Sequence, residues 1–310
     1  QGLAGLVTGS TFASNRLGIL LTGGARLSDS LVQGNTEGGV RCQTGSVVSN
    51  STVRANFPWG LDLEGGAATD CLIEANWSTN ANGAGVLIRA AGALLERSVV
   101  RDNRSARSGG GVFCEGTGTV RNCQVLDNEA GERGGGMWLG PGGVIENSAV
   151  LGNSAVTAGG GLYGLTNSVA RNCTVVDNRA TQHGGVIFLE PGGAARNCII
   201  QFNDAYAGAN CGAGVFPLNT VPAGAFEYCC ASPAPPGPGN FAADPGLLGW
   251  RNPHLASSSP CIGAGHNRYA NGTDLDGDAR IVPAVGRVDV GCHEWTGAET
   301  GPPSGVLVAV

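Results

Sequence analysis

Apolar and polar residues alternate in short runs that return along most of the chain. A segment of the form Asn-Cys/Ser-x-Val-x-x-Asn recurs, and its last residue falls at Asn35, Asn56, Asn76, Asn103, Asn128, Asn153, Asn178 and Asn203. The four intervals from Asn103 onward are each 25 residues. Equal intervals with matching flanks identify a repeat architecture, so the repeat is the first guide to the fold.

Within the repeat, constant apolar positions are separated by variable ones. One column is always small and uncharged: Ser30, Ser51, Cys71, Ser98, Cys123, Ser148, Cys173 and Cys198. Two residues later, a column is always β-branched: Val32, Val53, Ile73, Val100, Val125, Val150, Val175 and Ile200. A second strand follows a glycine-rich stretch, and its inward columns start at Val40 and Cys42. This period of two is typical of strands with one buried face.

A coil of 20 to 27 residues with at least two strands can bury its apolar side only by stacking on copies of itself. Corresponding strands then pair in parallel, about 4.8 Å apart. The recurrent Asn lies at a turn, where its amide can donate and accept along the stack and pair with backbone carbonyls. The pattern therefore predicts an all-β fold, a right-handed parallel β-helix that forms a solenoid of roughly 8–10 coils.

One charged column tests the register of this stack. Glu96, Arg121, Glu146, Arg171 and Arg196 lie one repeat apart, and the first four alternate in sign. Stacked coils place opposite charges at neighbouring heights, whereas a slip of one coil would oppose like charges. We therefore expect a ladder of ion pairs along the surface.

The regular period ends in the last third of the chain. We predict β-helix coils over residues 1–214, a C-terminal cap over residues 215–298 that continues the helix, and a linker with an apolar terminal strand over residues 299–310. Solenoids need caps because an open end leaves strand edges unpaired and core residues bare.

The predicted cap carries four motifs in order, at residues 243–248 (ADPGLL), 259–265 (SPCIGAG), 274–281 (DLDGDARI) and 286–294 (GRVDVGCHE). In this order they resemble the C-terminal region of secreted bacterial right-handed β-helix proteins of the choice-of-anchor Q type, which have the pectate-lyase-like superfamily fold. The resemblance covers essentially the whole chain. It implies the fold and a location outside the cytoplasm, but it says little about catalytic activity. Gly263 and Cys292 stand where the group usually has Asp and Ala, and the second departure implies an added disulfide to Cys261.

Composition restricts the possible partners and the cellular location of the protein. All 18 basic residues are Arg and the net charge is −6, so the chain lacks the basic surface that nucleic-acid binding requires. No run of about 18 apolar residues occurs, and we expect no membrane span. The chain starts at Gln1 without a basic-then-apolar leader, as a secreted protein does after signal removal. We therefore expect an extracellular or cell-surface location.

Two carboxylates are the catalytic candidates. Asp102, Asp127 and Asp177 share a column beside the turn Asn, interrupted by Gly152. Neighbouring coils would bring Asp102 and Asp127 near the separation of about 5 Å found in retaining glycosidases. No His, Tyr or Arg repeats beside them to move a proton. Solvated turn residues are therefore the favoured interpretation, and catalysis is the alternative.

An oxygen-rich loop is the candidate metal site. Asn271, Asp274, Asp276 and Asp278 alternate around Gly277, as the ligands of a structural Ca²⁺ do. The loop has no bidentate Glu at its end, so it is not an EF-hand, and a plain Asx-rich turn is the alternative. We expect packed or surface roles, without ligand spacing, for the four histidines, His183, His254, His266 and His293.

The chain has 11 cysteines and no CxxC pair, so metal and redox sites of that spacing have no support. Cysteines within the columns are expected to be small inward side chains. Those outside the regular coils are candidates for disulfides if the protein is secreted, with a connectivity that the sequence leaves open: Cys211, Cys229, Cys230, Cys261 and Cys292.

One residue per coil forms an apolar stripe between the inward columns of the second strand: Leu87, Phe113, Trp138, Tyr163 and Phe188. Pleat parity directs these side chains outward, which predicts a large exposed apolar patch. Three explanations stay open: the cap or tail covers the stripe, another subunit binds it, or sugar rings stack on it.

Both ends of the chain are apolar. No polar or helical segment precedes the first coil, and the last residues form a β-prone strand of Val306, Leu307, Val308, Ala309 and Val310. Such a strand aggregates unless it is paired. We predict that it adds to the first coil or the aromatic stripe of a neighbouring copy, which would build an open fibre. Folding back within its own chain is the alternative.

These observations favour a non-catalytic extracellular protein, structural or adhesive, whose partners are copies of itself. The alternative is a carbohydrate-active β-helix, namely a polysaccharide lyase, glycoside hydrolase or sugar-binding module, that uses the aromatic stripe with Asp102 and Asp127. The only cofactor expected is the candidate structural Ca²⁺.

Overall fold

The structure is a computed structural model that describes residues 5–182, 186–205, 211–213, 224–249, 251–281 and 286–297, with the backbone alone at residues 205 and 211–213. The chain winds through parallel strands that stack coil on coil, so the predicted parallel β-helix is confirmed. Val125 pairs with Val150, as the 25-residue period requires.

Three long sheets and one short sheet run along the β-helix. Sheet 1 consists of Leu6–Thr8, Arg26–Ser28, Val47–Ser49, Ala67–Thr69, Leu94–Glu96, Thr119–Arg121, Val144–Glu146, Val169–Arg171, Ala194–Arg196 and Phe226–Glu227. Sheet 2 consists of Thr11–Ala13, Leu31–Gln33, Thr52–Arg54, Leu72–Glu74, Val99–Arg101, Gln124–Leu126, Ala149–Leu151, Thr174–Val176, Ile199–Gln201 and Cys230–Ala231.

Sheet 3 follows the glycine-rich stretch of each coil. It consists of Ile19–Leu21, Val40–Gln43, Leu61–Glu64, Val86–Ile88, Val112–Cys114, Met137–Leu139, Leu162–Gly164, Ile187–Leu189 and Cys211–Ala213. The short sheet 4 lies between sheets 2 and 3 in each coil that has it, and consists of Trp77–Ser78, Arg104–Ser105, Glu129–Ala130, Ser154–Ala155, Arg179–Ala180 and Asp204–Ala205.

The interior is one apolar core bounded by the three long sheets. The predicted inward columns of sheets 2 and 3 are buried; Val125 and Leu139, for example, are 0% exposed. Sheet 1 adds a third inward column that the repeat pattern had not revealed: Leu27, Val48, Ala68, Leu95, Val120, Ile145, Ala170, Ala195 and Phe226. Burial of one Val or Leu side chain contributes about 1.5–3 kcal/mol, and each contacts equivalents in adjacent coils, so stability comes from the stack.

The recurrent turn Asn forms a buried ladder, as predicted. Asn128 Nδ2 donates to Asn153 Oδ1 at 2.9 Å and to the Val100 carbonyl at 2.9 Å. The backbone N–H of Asn128 also donates to Asn153 Oδ1, and the same contacts recur in neighbouring coils. Each amide thereby satisfies backbone groups that the apolar interior would leave unpaired.

The predicted charge ladder is present on sheet 1. Arg121 lies 2.6 Å from Glu96 and 3.9 Å from Glu146, and Arg171 lies 3.1 Å from Glu146. At the end of the column, Arg196 pairs with Glu227 at 3.5 Å. The alternation of sign therefore matches the register of the coils.

Residues 241–297, the C-terminal lobe, pack along the side of the β-helix. The lobe contains the antiparallel strands Leu247–Gly249 and Asn252–Leu255, and a 3₁₀ helix at Asn267–Tyr269. Its Leu255, Cys261 and Val290 form an apolar cluster with Leu151 and Ile199 on the outer face of sheet 2. The residues of the predicted cap therefore divide into two parts. Phe241 exchanges backbone hydrogen bonds with Cys229 and Ala231 of the coil that contains Phe226–Glu227, whereas Leu255, Cys261 and Val290 flank the coils.

The outward side chains of sheet 2 explain where the lobe docks. The second outward position of each strand is polar or charged nearer the N-terminus, as at Arg54, Glu74 and Arg101, and Arg101 pairs with Glu74 at 2.7 Å. From Leu126 onward they are mostly apolar, for example Leu151 and Val176, and they contact the lobe. An apolar outer face is stable only when another layer covers it, so the change in composition marks the footprint of the lobe.

A strap (residues 266–274) fastens the lobe to one corner of the β-helix. Each corner Asn in four successive coils donates its Nδ2 to a strap carbonyl: Asn197 to His266 (3.2 Å), Asn172 to Tyr269 (2.9 Å), Asn147 to Asn271 (2.7 Å) and Asn122 to Asp274. The strap therefore runs antiparallel to the direction in which the coils are added.

The coils extend beyond residue 214, where the sequence pattern had placed their end. Phe226–Glu227 and Cys230–Ala231 pair with Ala194–Arg196 and Ile199–Gln201, and so form a last coil. Within the described part of the chain, no helix has the length and apolarity needed to cross a membrane.

Candidate functional site

The candidate catalytic carboxylates lie at the seam between the coils and the lobe. Arg251, at the turn of the lobe hairpin, reaches across to the column: its Nη1 lies 2.6 Å from Asp127 Oδ1 and its Nε lies 2.7 Å from Asp177 Oδ2. Asp102 is exposed, with Arg101 at 3.7 Å. Sequence reasoning had found no Arg repeating beside these carboxylates, and the partner comes from the non-repetitive lobe.

Gly152 makes room for this bridge. It interrupts the Asp column, and an added Cβ there would lie 2.5 Å from Asp127 Oδ1 and 2.8 Å from the Arg251 guanidinium. Gly34, at the equivalent position of an earlier coil, has open space around it. The glycine that interrupts the Asp column therefore marks the place where the Arg251 side chain lies between Asp127 and Asp177.

The oxygen-rich loop uses its first carboxylate to organise a turn. Asp274 Oδ1 accepts the backbone N–H groups of Asp276 (2.9 Å) and Asp278 (2.8 Å), and Oδ2 accepts that of Glu294 (2.8 Å). Burial raises the pKa of Asp274 to about 6. Asn271 turns away and donates to Glu146 at 2.8 Å. The described geometry is that of a structured turn, and the calcium site stays a prediction.

A cluster that sequence reasoning missed lies inside the lobe. His254, Asp276 and His293 each place one nitrogen or oxygen atom within 4.8 Å of the others. His254 Nε2 is 2.8 Å and His293 Nε2 is 3.8 Å from Asp276 Oδ2. The imidazoles are 5% and 1% exposed, and burial lowers the pKa of His293 to about 4. Both histidines are packed, one of the two roles expected of them, and their approach to each other is one that no local spacing in the sequence could reveal.

A buried ionic network supports the cluster. Glu294, next to His293, is fully buried, with Arg280 Nε 3.7 Å from its carboxylate. Burial raises the pKa of Glu294 to about 8. Arg280 also donates to the carbonyls of Asp289 and Gly291. These contacts hold the segment that carries His293.

The family model of the right-handed β-helix region matches residues 2–125 and 59–221. Together the two matches span more than half of the chain. The chain belongs to the right-handed β-helix family. No curated protein matches it, and no solved structure does.

Four of the five side chains in the aromatic stripe of this β-helix are buried, and Trp138 is partly buried. Leu87, Phe113, Tyr163 and Phe188 are 3%, 7%, 2% and 6% exposed. Phe113 stacks on Trp138 with ring centroids 4.2 Å apart, and Tyr163 stacks on Phe188 at 4.9 Å. Pleat parity was right about the direction of these side chains, but the predicted exposed patch is wrong.

Glycine turns of the same coils lie against the stripe. A Cβ added at Gly83 would lie 2.5 Å from Leu87, and one at Gly109 would lie 2.7 Å from Phe113 Cβ. Both glycines have positive φ, which favours this residue. The close approach of these turns explains why outward side chains lose contact with water.

The candidate disulfide residues fall into two groups. Cys230 and Cys261 pack in one apolar cluster, and interaction with the Cys261 thiol lowers the pKa of Cys230. Cys229 extends the stacked thiols, because Cys198 contacts both Cys173 and Cys229. Cys230, Cys261 and Cys292 all belong to the apolar cluster on sheet 2, and the interaction between thiols links Cys261 to Cys230, whereas the resemblance had implied a disulfide between Cys261 and Cys292.

Cys292 instead makes contacts with sheet 2. Its backbone N–H donates to Thr174 Oγ1 at 3.1 Å, and burial raises the pKa of its thiol to about 12. The remaining predicted interaction residues lie outside the described part of the chain: the side chain of Cys211, and Val306, Leu307, Val308 and Val310.

Proposed function

We propose that this β-helix is a non-catalytic extracellular protein, structural or adhesive, that associates end to end with copies of itself. The observation that carries the proposal is the partial burial of apolar residues in the coil that contains Leu6–Thr8, Thr11–Ala13 and Ile19–Leu21. Its inward residues Val7, Phe12 and Ile19 are only partly buried, whereas Leu27 and Val32, one coil further, are 0% exposed. Apolar groups that a solenoid leaves partly exposed favour a covering partner.

The edge of this first coil is suited to strand addition. The Ser10 carbonyl accepts from Leu31 and the Ser14 N–H donates to Gln33, both toward the second coil. Because backbone groups of successive strand residues point to opposite sides, Thr11 and Ala13 direct theirs away from the β-helix. Such an edge templates pairing with another strand.

The proposed occupant is the terminal strand of a second copy. Residues 306–310 are apolar and rich in Val, a composition that favours strands. Addition of this strand to the first coil of a neighbour is heterologous and does not close, so it propagates into a fibre. The motif order that resembles choice-of-anchor Q proteins supports the extracellular location.

The carbohydrate-active alternative has less support. Four of the five side chains of its aromatic platform are buried, and Arg251 forms ion pairs with Asp127 and Asp177. A carboxylate held by a guanidinium is a poor proton donor. Reducing-sugar release from a panel of polysaccharides, lost in Asp127→Ala, would support this alternative.

The test of self-association compares three untagged chains by sedimentation and electron microscopy: the full chain, a chain that ends at residue 305, and Thr11→Pro. Proline removes the outward N–H of an edge strand, without removing a bond to the second coil. We expect filaments from the full chain and monomers from the other two.

Leu248→Asp is the matched control, because Leu248 is an exposed apolar residue, 51% accessible, on the lobe. It should still form filaments. A full chain that stays monomeric across the concentration range would overturn the proposal, as would filaments of undiminished length from Thr11→Pro.

A further inference from the structure

We propose that His254, His293 and Asp276 form a binding site for a divalent transition-metal cation of the zinc class. Two imidazole nitrogens and one carboxylate oxygen are a donor set that zinc accepts. Calcium instead takes six to eight oxygen donors. The site therefore differs from the predicted oxygen-rich loop, although Asp276 belongs to both.

The spacing of the donor atoms suits a small cation. With bonds of about 2.0–2.2 Å, tetrahedral ligands lie roughly 3.3 Å apart. Asp276 Oδ2 lies 2.8 Å from His254 Nε2 and 3.8 Å from His293 Nε2, values on either side of that distance. The three side chains come from different segments of the lobe, so packing of the lobe sets the geometry in advance.

Contacts behind His254 orient it as a ligand. Asn252 Oδ1 accepts the backbone N–H of His254 at 3.1 Å and also contacts His254 Nδ1. Since this oxygen can only accept, Nδ1 carries a proton and donates it. In the protonated ring Nε2 donates to Asp276 Oδ2 at 2.8 Å, and in the neutral ring its lone pair faces the same oxygen, so a cation can take the place of the Nε2 proton. Metal-bound histidines typically donate their other N–H in this way.

His293 is the third ligand. Its Nδ1 accepts the backbone N–H of Leu255 at 3.3 Å. Coordination through Nε2 moves the imidazole proton to Nδ1, so the buried Leu255 N–H must give up this hydrogen bond. Asp276 also borders a cleft of about 110 Å³, with Gln124 and Gly277 in its wall, so an ion can reach the carboxylate from the surface and a water can complete its coordination.

The experiment titrates ZnCl₂ into the untagged, EDTA-treated full chain by calorimetry, and follows thermal unfolding with and without the metal. We expect one equivalent to bind and the melting temperature to rise, because a ligand that binds only the folded state stabilises it. Cobalt(II) should bind at the same site and give the visible bands of a tetrahedral N/O complex.

Variants separate this site from adventitious binding. Asp276→Asn and His254→Gln should abolish zinc binding, and Asn252→Ala should weaken it roughly 10- to 100-fold, as loss of a ligand's hydrogen-bond partner does. Asp278→Asn and His266→Gln, which change residues outside the cluster, should bind as the parent does. A parent chain that takes up no zinc would overturn the proposal, and so would unchanged binding in both Asp276→Asn and His254→Gln.

Discussion

Asn147, at a corner of the β-helix, donates its Nδ2 to the backbone carbonyl of Asn271 in the strap, at 2.7 Å. Asn147 is 0% exposed, and its Oδ1 accepts from Asn172 at 3.0 Å. The same type of residue that links coil to coil therefore also fastens a non-repetitive segment to the coils.

Asn147→Ala should loosen the lobe. The substitution leaves the Asn271 carbonyl and a buried Asn172 N–H without these partners, and a buried group left unpaired costs about 1–3 kcal/mol. We expect lower stability to denaturant and faster hydrogen exchange over residues 266–274.

Asn50→Ala is the matched control for this prediction. Asn50 occupies the same corner, with φ 45° against 50° for Asn147, but it is exposed and lies outside the footprint of the lobe. Both changes place Ala in the left-handed region of backbone conformation. The difference in stability and in hydrogen exchange between the two variants therefore measures the contribution of the hydrogen bond to the strap. Equal exchange rates in the two variants would contradict the role given to Asn147.

Gly152→Ala should displace Arg251. Gly152 and Gly34 have φ of 69° and 62°, so Ala costs about 1 kcal/mol at either position through the backbone alone. Only at position 152 does the methyl group also meet Asp127 and Arg251. We expect Gly152→Ala to lose about 1 kcal/mol more than Gly34→Ala, the scale of partly exposed ion pairs, with faster exchange in the hairpin. Equal destabilisation of Gly152→Ala and Gly34→Ala would show that the ion pairs of Arg251 add nothing to stability.

Leu87→Ala tests whether the stripe is packed. Leu87 and Leu20 occupy the same outward column of sheet 3, but Leu87 is 3% exposed and Leu20 is 49% exposed. Truncation of a buried Leu costs about 2–5 kcal/mol, whereas Leu20→Ala should cost under about 1 kcal/mol. Chemical denaturation measures the loss of unfolding free energy in both variants. A small loss in Leu87→Ala would contradict the burial of the stripe and support an exposed patch.

Cys230 and Cys261 should form a disulfide under mild oxidation. Their thiols are in contact, and the cross-link would close a loop of about 30 residues, which stabilises by about 3–4 kcal/mol. Peptide mapping should find a Cys230–Cys261 link that Cys292→Ser retains and Cys261→Ser loses. A link between Cys261 and Cys292 would contradict this pairing.

Much of the fold could be predicted because a solenoid is built from neighbours one period apart. The β-branched column forecast the pairing of Val125 with Val150, and the alternating charges forecast the contact of Arg121 with Glu96. The inward column of sheet 1 has the same period, but its members range from Ala170 to Phe226 and lack a constant residue type. Small and large side chains compensate across the core, which hides the column from inspection.

The sites could be predicted far less well. Arg251 contacts Asp127, which is 124 residues away in the sequence. His254, which contacts Asp276, lies outside the motifs recognised in the sequence. Each contact involves at least one non-repetitive segment, so the period of the repeat does not predict it. For the stripe, local pleat geometry set the direction of Phe113, while its burial depended on turns packed outside the sheet.

The repeat in the sequence determined the coils, their register and the Asn ladder, because each position contacts its own copy one period away. Only the tertiary structure decided that the C-terminal lobe lies along sheet 2, that Gly152 admits a guanidinium, and that two distant histidines share one carboxylate. The physical reason is that these contacts depend on how the irregular C-terminal lobe fits the apolar outer face of sheet 2. Shape complementarity between distant segments leaves no regular spacing of residues in the sequence.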